Sequence, residues 1–376
     1  PNLDEIIAVA GSFGFAGPTD RRADTITAGG LILRYTNTEF SELARDPATA
    51  PGFATLTPAD GALFAIPGYV TTNIQRGTAF GQPESGIRPA DASEYPPELD
   101  AFVVVDPANV NRFPPRAGTE ASGALTQAEV RTIAIEAIKV AKRTRAQVRK
   151  PLGSPAGETV VVTDSNGAVL AIVRTRDALM DAVDVTTQKA RTAAFFSSPN
   201  AAADLLSITQ PINYFSATIV GTTVDLRTVG TASVPPYLAA FRSFLGQPNA
   251  LADGLTAHSS RSIGLLERPL YPDGVPGTPP GPLSPPIEQW SLFNTGLQLH
   301  RIYNQLAGSI AFYLQQLGLQ VRVDGTAVTI PPPPAVRSCT GLPRINAGYT
   351  LFGGGVPIYR GNTLVGAVAA SGDGTD

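Results

Sequence analysis

The stretch ETVVVTDSNGAVLAIVRTRDA, residues 158 to 178, limits the fold more than any other part of this chain. Two β-branched runs, TVVVTD (159–164) and AVLAIVRT (168–175), flank Ser165-Asn166-Gly167. Asn-Gly between such runs is the strongest short-range hairpin signal, since both residues tolerate positive φ. Strand texture returns near the C-terminus: GYTLF, VPIYR, a Gly361-Asn362 turn and TLVGAVAAS. The reading is that the two stretches form one small domain, split by a long insertion.

Helices frame the hairpin. Thr126 with Glu129 three positions on is a capping-box pattern. Val130, Ile133, Ala134, Ala137, Ile138 and Ala141 then recur at helical spacing, the stripe of a helix with one buried face. Lys142, Arg143 and Arg145 crowd its end, where they complement the helix dipole, and Pro151 closes it. A second helix fits Asp181 to Phe196, with Val185, Lys189, Ala193 and Phe196 on one side and Pro199 beyond.

The rest is looser. A chain of 376 residues suggests two or three units, and 37 glycines with 34 prolines predict many turns and long irregular connections. Residues 1–119 read as an irregular β/loop region, with short apolar runs at Ile6–Ala10, Gly30–Tyr35 and Ala101–Val105. Residues 110–123 read as a linker. Residues 206–341 read as a helical, Pro-rich insertion, with helices at 235–246 and 288–318. Between and after them, RPLYPDGVPGTPPGPLSPP (268–286) and IPPPPAV (330–336) suit no regular element.

Charge and motifs exclude several functions. With 28 Lys and Arg against 31 Asp and Glu, and no cationic stripe, nucleic acid is not an expected partner. The one cysteine, Cys339, rules out an internal disulfide and a multi-cysteine metal cluster. No stretch reaches 18 apolar residues, so no membrane span is expected. The chain opens on Pro1 without a charged-then-apolar leader and stops abruptly at Asp376, the expectation for a piece of something longer. Ser-His-Asp order, H-E-x-x-H, phosphate loop and G-x-G-x-x-G after a strand are all missing, so the sequence carries no enzyme signature.

Four motifs in order resemble the GlcG/HbpS-like haem-binding domain family. These are Val161-Val162-Thr163-Asp164 with Gly167 and Leu170; Lys189-Ala190-Arg191-Thr192-Ala193; Gly354-Gly355-Val356-Pro357; and Gly366-Ala367 with Ser371-Gly372. Thr163 departs from the family pattern, as does the long insertion. The resemblance covers 120–205 and 342–376, and in the insert RPLYPDG, GPLSPP and WSLFNTGLQL look similar to large bacterial haem-binding proteins. It implies an α+β fold with an antiparallel sheet and packed helices. It further implies non-covalent binding of haem or a related tetrapyrrole, for storage, sensing or transfer, in a periplasmic or extracellular bacterial protein that forms homo-oligomers.

The residues open to such a ligand are few. Haem iron takes an axial His, Met, Cys or Tyr. His300 lies in a helical stretch with Tyr303 three residues on and on the same face, and His258 lies beside a polar loop. His300 is the metal candidate; the plainer reading of both histidines is a surface or capping role. Met180 reads as core filler. Arg174, Arg176 and Lys189 suit a haem propionate, or else local pairing with Asp177, Asp181 or Asp184. Gly353, Gly354 and Gly355, followed by Pro357, let the backbone approach either a flat ligand or a neighbouring element. Two rival readings remain: a structural module of an oligomeric surface assembly, and an enzyme acting on a small oxidised metabolite.

Overall fold

The computed structural model describes residues 2–37, 83–146, 148, 149, 151, 153–272, 276–285, 296–332 and 339–373. The chain starts in helix α1 (Asn2–Gly11), followed by two short strands, β1 (Thr27–Ala28) and β2 (Leu31–Ile32). Strands β3 (Ile87–Pro89) and β4 (Phe102–Val104) precede helix α2 (Gln127–Arg143). The hairpin is β5 (Glu158–Thr163) and β6 (Val169–Arg174), and helices α3 (Ala182–Phe196) and α4 (Ala201–Leu206) follow it. A second hairpin, β7 (Ile212–Val220) and β8 (Thr223–Ala232), leads to α5 (Pro235–Leu245), α6 (Ser260–Leu266) and α7 (Leu297–Gln316). Strands β9 (Gln320–Val323), β10 (Thr326–Ala327), β11 (Gly355–Arg360) and β12 (Thr363–Gly372) complete the order.

The main sheet is antiparallel, in the order β11-β12-β5-β6-β4-β3. The register sets Val161 opposite Ala369 and Val162 opposite Val368, so the Asn-Gly ribbon and the C-terminal strands lie side by side. All six β5 residues are buried because helices cover both faces. On one face Val161, Ile172, Ala367 and Ala369 meet Ala190, Ala193 and Ala194 of α3. On the other, Val160, Val162 and Val368 share a core with Ile7 of α1 and Val130, Ile133 and Ala137 of α2. Alternating side-chain direction along a strand produces this division. α1 and α2 meet at Gly11, where an added Cβ would lie 2.9 Å from the Ala137 Cβ.

Local sequence explains the elements best where it satisfies backbone groups. The Thr126 side chain accepts from the Glu129 amide, and Glu129 Oε2 accepts from the Thr126 amide at 2.7 Å, the reciprocal cap expected. α2 ends at Arg143, well before Pro151. In the hairpin only Gly167 of the turn takes positive φ (79°); Asn166 does not. The turn is held instead by Asp164 Oδ1, which accepts from the amides of Asn166 (3.0 Å) and Ala168 (2.8 Å). Thr163, the departure from the family pattern, sits where the β5–β6 register shifts.

Several expectations need correction. Ile6–Ala10 lies in α1, not in a strand-and-turn segment; a short apolar run has no period long enough to decide between the two. Residues 113–116 are not a free linker, because Phe113 O accepts from Ile172 and the Arg116 amide donates to Leu170 O along β6. Residues 1–119 also give β3 and β4 to the main sheet. The region read as helical and Pro-rich contains β7 to β10 as well, in a second sheet ordered β10-β9-β8-β7, with Val224 and Val321 packed on Ala311 of α7. The helix read over 288–318 is described from Leu297; residues 286–295 and 333–338 lie outside the described residues. Met180 is 54 % exposed, not core filler.

The glycine run makes the fold testable. Gly354 has φ of 110°, and a Cβ there would lie 2.6 Å from the Asp4 Cβ and 2.8 Å from Ala370 O. Gly361, in the β11–β12 turn, also has positive φ (58°) but open space around it. Gly354→Ala is expected to lower stability in urea unfolding by about 2–3 kcal/mol, and Gly361→Ala by about 1 kcal/mol. Equal losses would mean that backbone strain alone, not the close approach, explains Gly354.

Candidate functional site

The triple glycine lies against two ion pairs. Lys189 on α3 and Asp4 on α1 are both fully buried; the Lys189 Nζ donates to Asp4 Oδ2 at 2.6 Å and to the Ser371 hydroxyl at 3.1 Å. Glu5, next on α1, pairs with Arg261 of α6 and accepts from the Asn37 amide at 2.8 Å. Burial raises the Glu5 pKa, against the opposing pull of Arg261. The space a Cβ would need is taken at Gly353 by Arg261 and Glu5, and at Gly355 by the Lys189 carbonyl. The run thus closes on protein atoms rather than on a gap. Pro357 sits in β11 at the end of the main sheet, where a missing amide costs little.

Glu158 on β5 adjoins this cluster and is fully buried, with neither carboxyl oxygen hydrogen-bonded. Burial, then the negative charge of Asp4, pushes its pKa well above the ordinary 4.5, which favours the protonated form.

Arg174 and Lys189 are engaged within the fold, although Arg174 Nε has no partner. Arg174 is fully buried at the end of β6; its guanidinium donates to Ala178 O, to Leu179 O at 3.1 Å and to Met180 Sδ at 3.2 Å. Burial lowers its pKa to about 10. Arg176 pairs with Asp100 at 2.8 Å, and Asp177 goes to Arg149. The local pairs expected from sequence proximity give way to partners that the sheet brings from elsewhere.

The histidines are not surface groups. His258 is 1 % exposed and His300 8 % exposed, and the Nδ1 of each is enclosed without a hydrogen-bond partner. Burial lowers the His258 pKa to about 3 and that of His300 to about 4, the second aided by the neighbouring Arg301 charge. Both imidazoles are therefore neutral near pH 7, the form that ligates metals. Both also lie along α5: Tyr237 meets His300 with ring centroids 5.2 Å apart, and Phe241, one turn on, meets His258 at 5.7 Å.

His300 and Tyr303 come together as their spacing predicts. Tyr214 of β7 joins them, 5.3 Å from the His300 ring and 4.6 Å from that of Tyr303. The Tyr303 hydroxyl accepts from the Phe215 amide at 3.1 Å, while the Tyr214 hydroxyl is buried without a partner. Burial pushes the Tyr214 phenol up to about 12. Behind this aromatic group the Tyr349 hydroxyl donates to Glu267, at the end of α6. Burial raises the Glu267 pKa well above 4.5. Sequence reasoning missed Tyr214, Tyr237, Glu267, Arg301 and Tyr349; no spacing signal links them, since they come from separate elements.

One segment joins the glycine run to this cluster. Residues 349–355 pass along α6: Tyr349 at Glu267, Leu351 O where a Gly264 Cβ would be, Gly353 at Arg261, and the Gly355 amide on the Ser260 hydroxyl at 2.9 Å.

Residues 131–230 match the family model described as haem degrading protein HbpS-like. This chain carries an HbpS-like segment. The resemblance seen in the sequence motifs is borne out there, from within α2 through the main hairpin and α3 to β8. Searches of curated proteins and of solved structures find no match to this chain. Tyr214 lies inside the matched stretch; Tyr237, His300, Arg301 and the glycine run lie beyond it. Among the described residues no cluster of three or more His, Cys, Asp or Glu could hold a metal ion, and no helix is long and apolar enough to cross a membrane.

Glu158 gives a pH test of the buried cluster. Its raised pKa means that its contribution to stability is full below about pH 4.5 and is lost as pH rises through the folded-state value. Wild type is therefore expected to lose stability relative to Glu158→Gln as pH rises above the ordinary carboxylate range, in urea unfolding at stepped pH. Parallel stability curves for the two proteins would contradict the protonated state.

Proposed function

We propose that the chain binds haem non-covalently, with His300 as the residue that meets the iron. The observation that carries this reading is the His300 side chain: a neutral, buried imidazole with an unpartnered Nδ1, set between the rings of Tyr214 and Tyr237. Buried polar atoms are nearly always satisfied, so such an orphan calls for a ligand or water. Haem, when bound, supplies an iron that takes an axial nitrogen and a flat macrocycle that packs on aromatic faces. The described side chains fit that group in kind: an imidazole kept unprotonated, surrounding rings and an uncompensated cation next to it. The haem-related description of the matched family supports the same class of ligand. His258 is the reserve candidate, although Phe241 encloses its ring and Ser197 takes its backbone groups. Storage, sensing or transfer outside the cytosol belongs to the same proposal, tested by fractionating the source cells.

An assembly role has one observation in its favour. Leu306 and Ile310, on one face of α7, and Leu317, just past its end, are 48 %, 51 % and 77 % exposed. Multi-angle light scattering of a monomer would remove that reading.

Haemin titrated into the protein is expected to give a saturable Soret shift near one equivalent. His300→Ala should weaken binding at least about tenfold and alter the ligand-field bands, while His258→Ala leaves those bands in place. Because burial keeps the His300 imidazole neutral down to about pH 4, coordination should persist from pH 7 to pH 5. Weak, non-saturating uptake would sink the haem reading, and unchanged bands in His300→Ala would move the iron elsewhere.

A further inference from the structure

Arg301 follows His300 on α7 and is 7 % exposed. Its Nη2 donates to Thr340 O at 3.0 Å, but Nε and Nη1 are enclosed with no partner. Those two nitrogens carry three of the five guanidinium N–H donors. Its electrostatic neighbour is Tyr349, whose hydroxyl is given to Glu267, and burial favours the protonated form of that acid. Tyr349 is itself held as a neutral phenol, its pKa raised well above the ordinary 10. A guanidinium stays charged in proteins, so the fold buries a cation to which the described residues supply one carbonyl and no counter-charge. The other buried cations among the described residues are better partnered: Lys189 has Asp4, and Arg174, although its Nε also lacks a partner, has three acceptors on its terminal nitrogens.

We propose that Arg301 binds the carboxylate of the ligand held at His300. Planar guanidinium donors suit a carboxylate better than any neutral group, and a buried charge-assisted pair gains most where water is excluded. The inference rests on the haem reading, and for a tetrapyrrole the carboxylate is a propionate. It shifts the propionate role from Arg174 and Lys189, whose terminal nitrogens are already engaged by protein acceptors, to the residue beside the iron candidate.

The test compares haemin with haemin dimethyl ester, whose propionates are blocked, by absorbance titration. Wild type is expected to bind haemin about 10- to 100-fold more tightly than the ester. Arg301→Met should lose that preference, weakening haemin by the same factor and leaving the ester within about twofold. Arg301→Lys should recover part of the preference, since it restores charge without the planar donors. Equal affinity of wild type for the two porphyrins overturns the Arg301 assignment while haem binding stands, and this comparison needs no variant to fold. A variant that weakens both porphyrins alike overturns it too. If wild type takes up neither porphyrin saturably, both proposals fall together.

Discussion

Lys189 and Asp4 meet where neither side chain touches water, and the placement of the chain's two ends follows from that contact. Removing both charges from water is costly, and the cost is offset only by good geometry and further hydrogen bonds. Asp4 brings α1, Lys189 brings α3, and Ser371 brings the last strand, so the pair pins the beginning, middle and end of the sequence together. The glycines at 353–355 belong to the same constraint. A side chain there would occupy the space that the two ion pairs need.

The fold was legible where one local period carries the signal. All six apolar positions read into the α2 stripe are buried, and the cap forms as the Thr126–Glu129 spacing implies. The hairpin at 158–174 and the helix ending at Phe196 follow for the same reason. α1 was hidden because five apolar residues suit a helix or a strand equally. β7 and β8 were hidden differently: much of their length is exposed, so the alternation that marks a half-buried strand is blurred.

Ionic partners were the least legible feature. Sequence proximity offers Asp177, Asp181 and Asp184 to the nearby basic groups, but the tertiary packing delivers Asp100 to Arg176 and Asp4 of α1 to Lys189 of α3. A buried charge accepts whichever partner the packing presents, and that partner is fixed only once the whole core closes. The candidate site shows the same division. His300 and Tyr303 share a helix, so their meeting can be read from spacing, whereas Tyr214 and Tyr237 arrive from a strand and another helix. Arg301 has no signal at all in a linear reading, because being unpaired is a property of its surroundings.

The two polar clusters are not independent, since α6 and the segment 349–355 run side by side between them. α6 has seven residues and spans about 10 Å. Ser260 and Arg261 at its start touch the glycine run and Glu5, while Glu267 just past its end takes the Tyr349 hydroxyl. Between these ends the two backbones press together at Gly264, where a Cβ would fall 1.8 Å from Leu351 O. That contact leaves no freedom for one strand of the pair to slide against the other. The glycines that seat the chain over the Lys189 pair therefore also set how far Tyr349 reaches Glu267. With Gln298 of α7 donating to Tyr349 O at 2.5 Å, the same segment fixes the helix that carries His300 and Arg301.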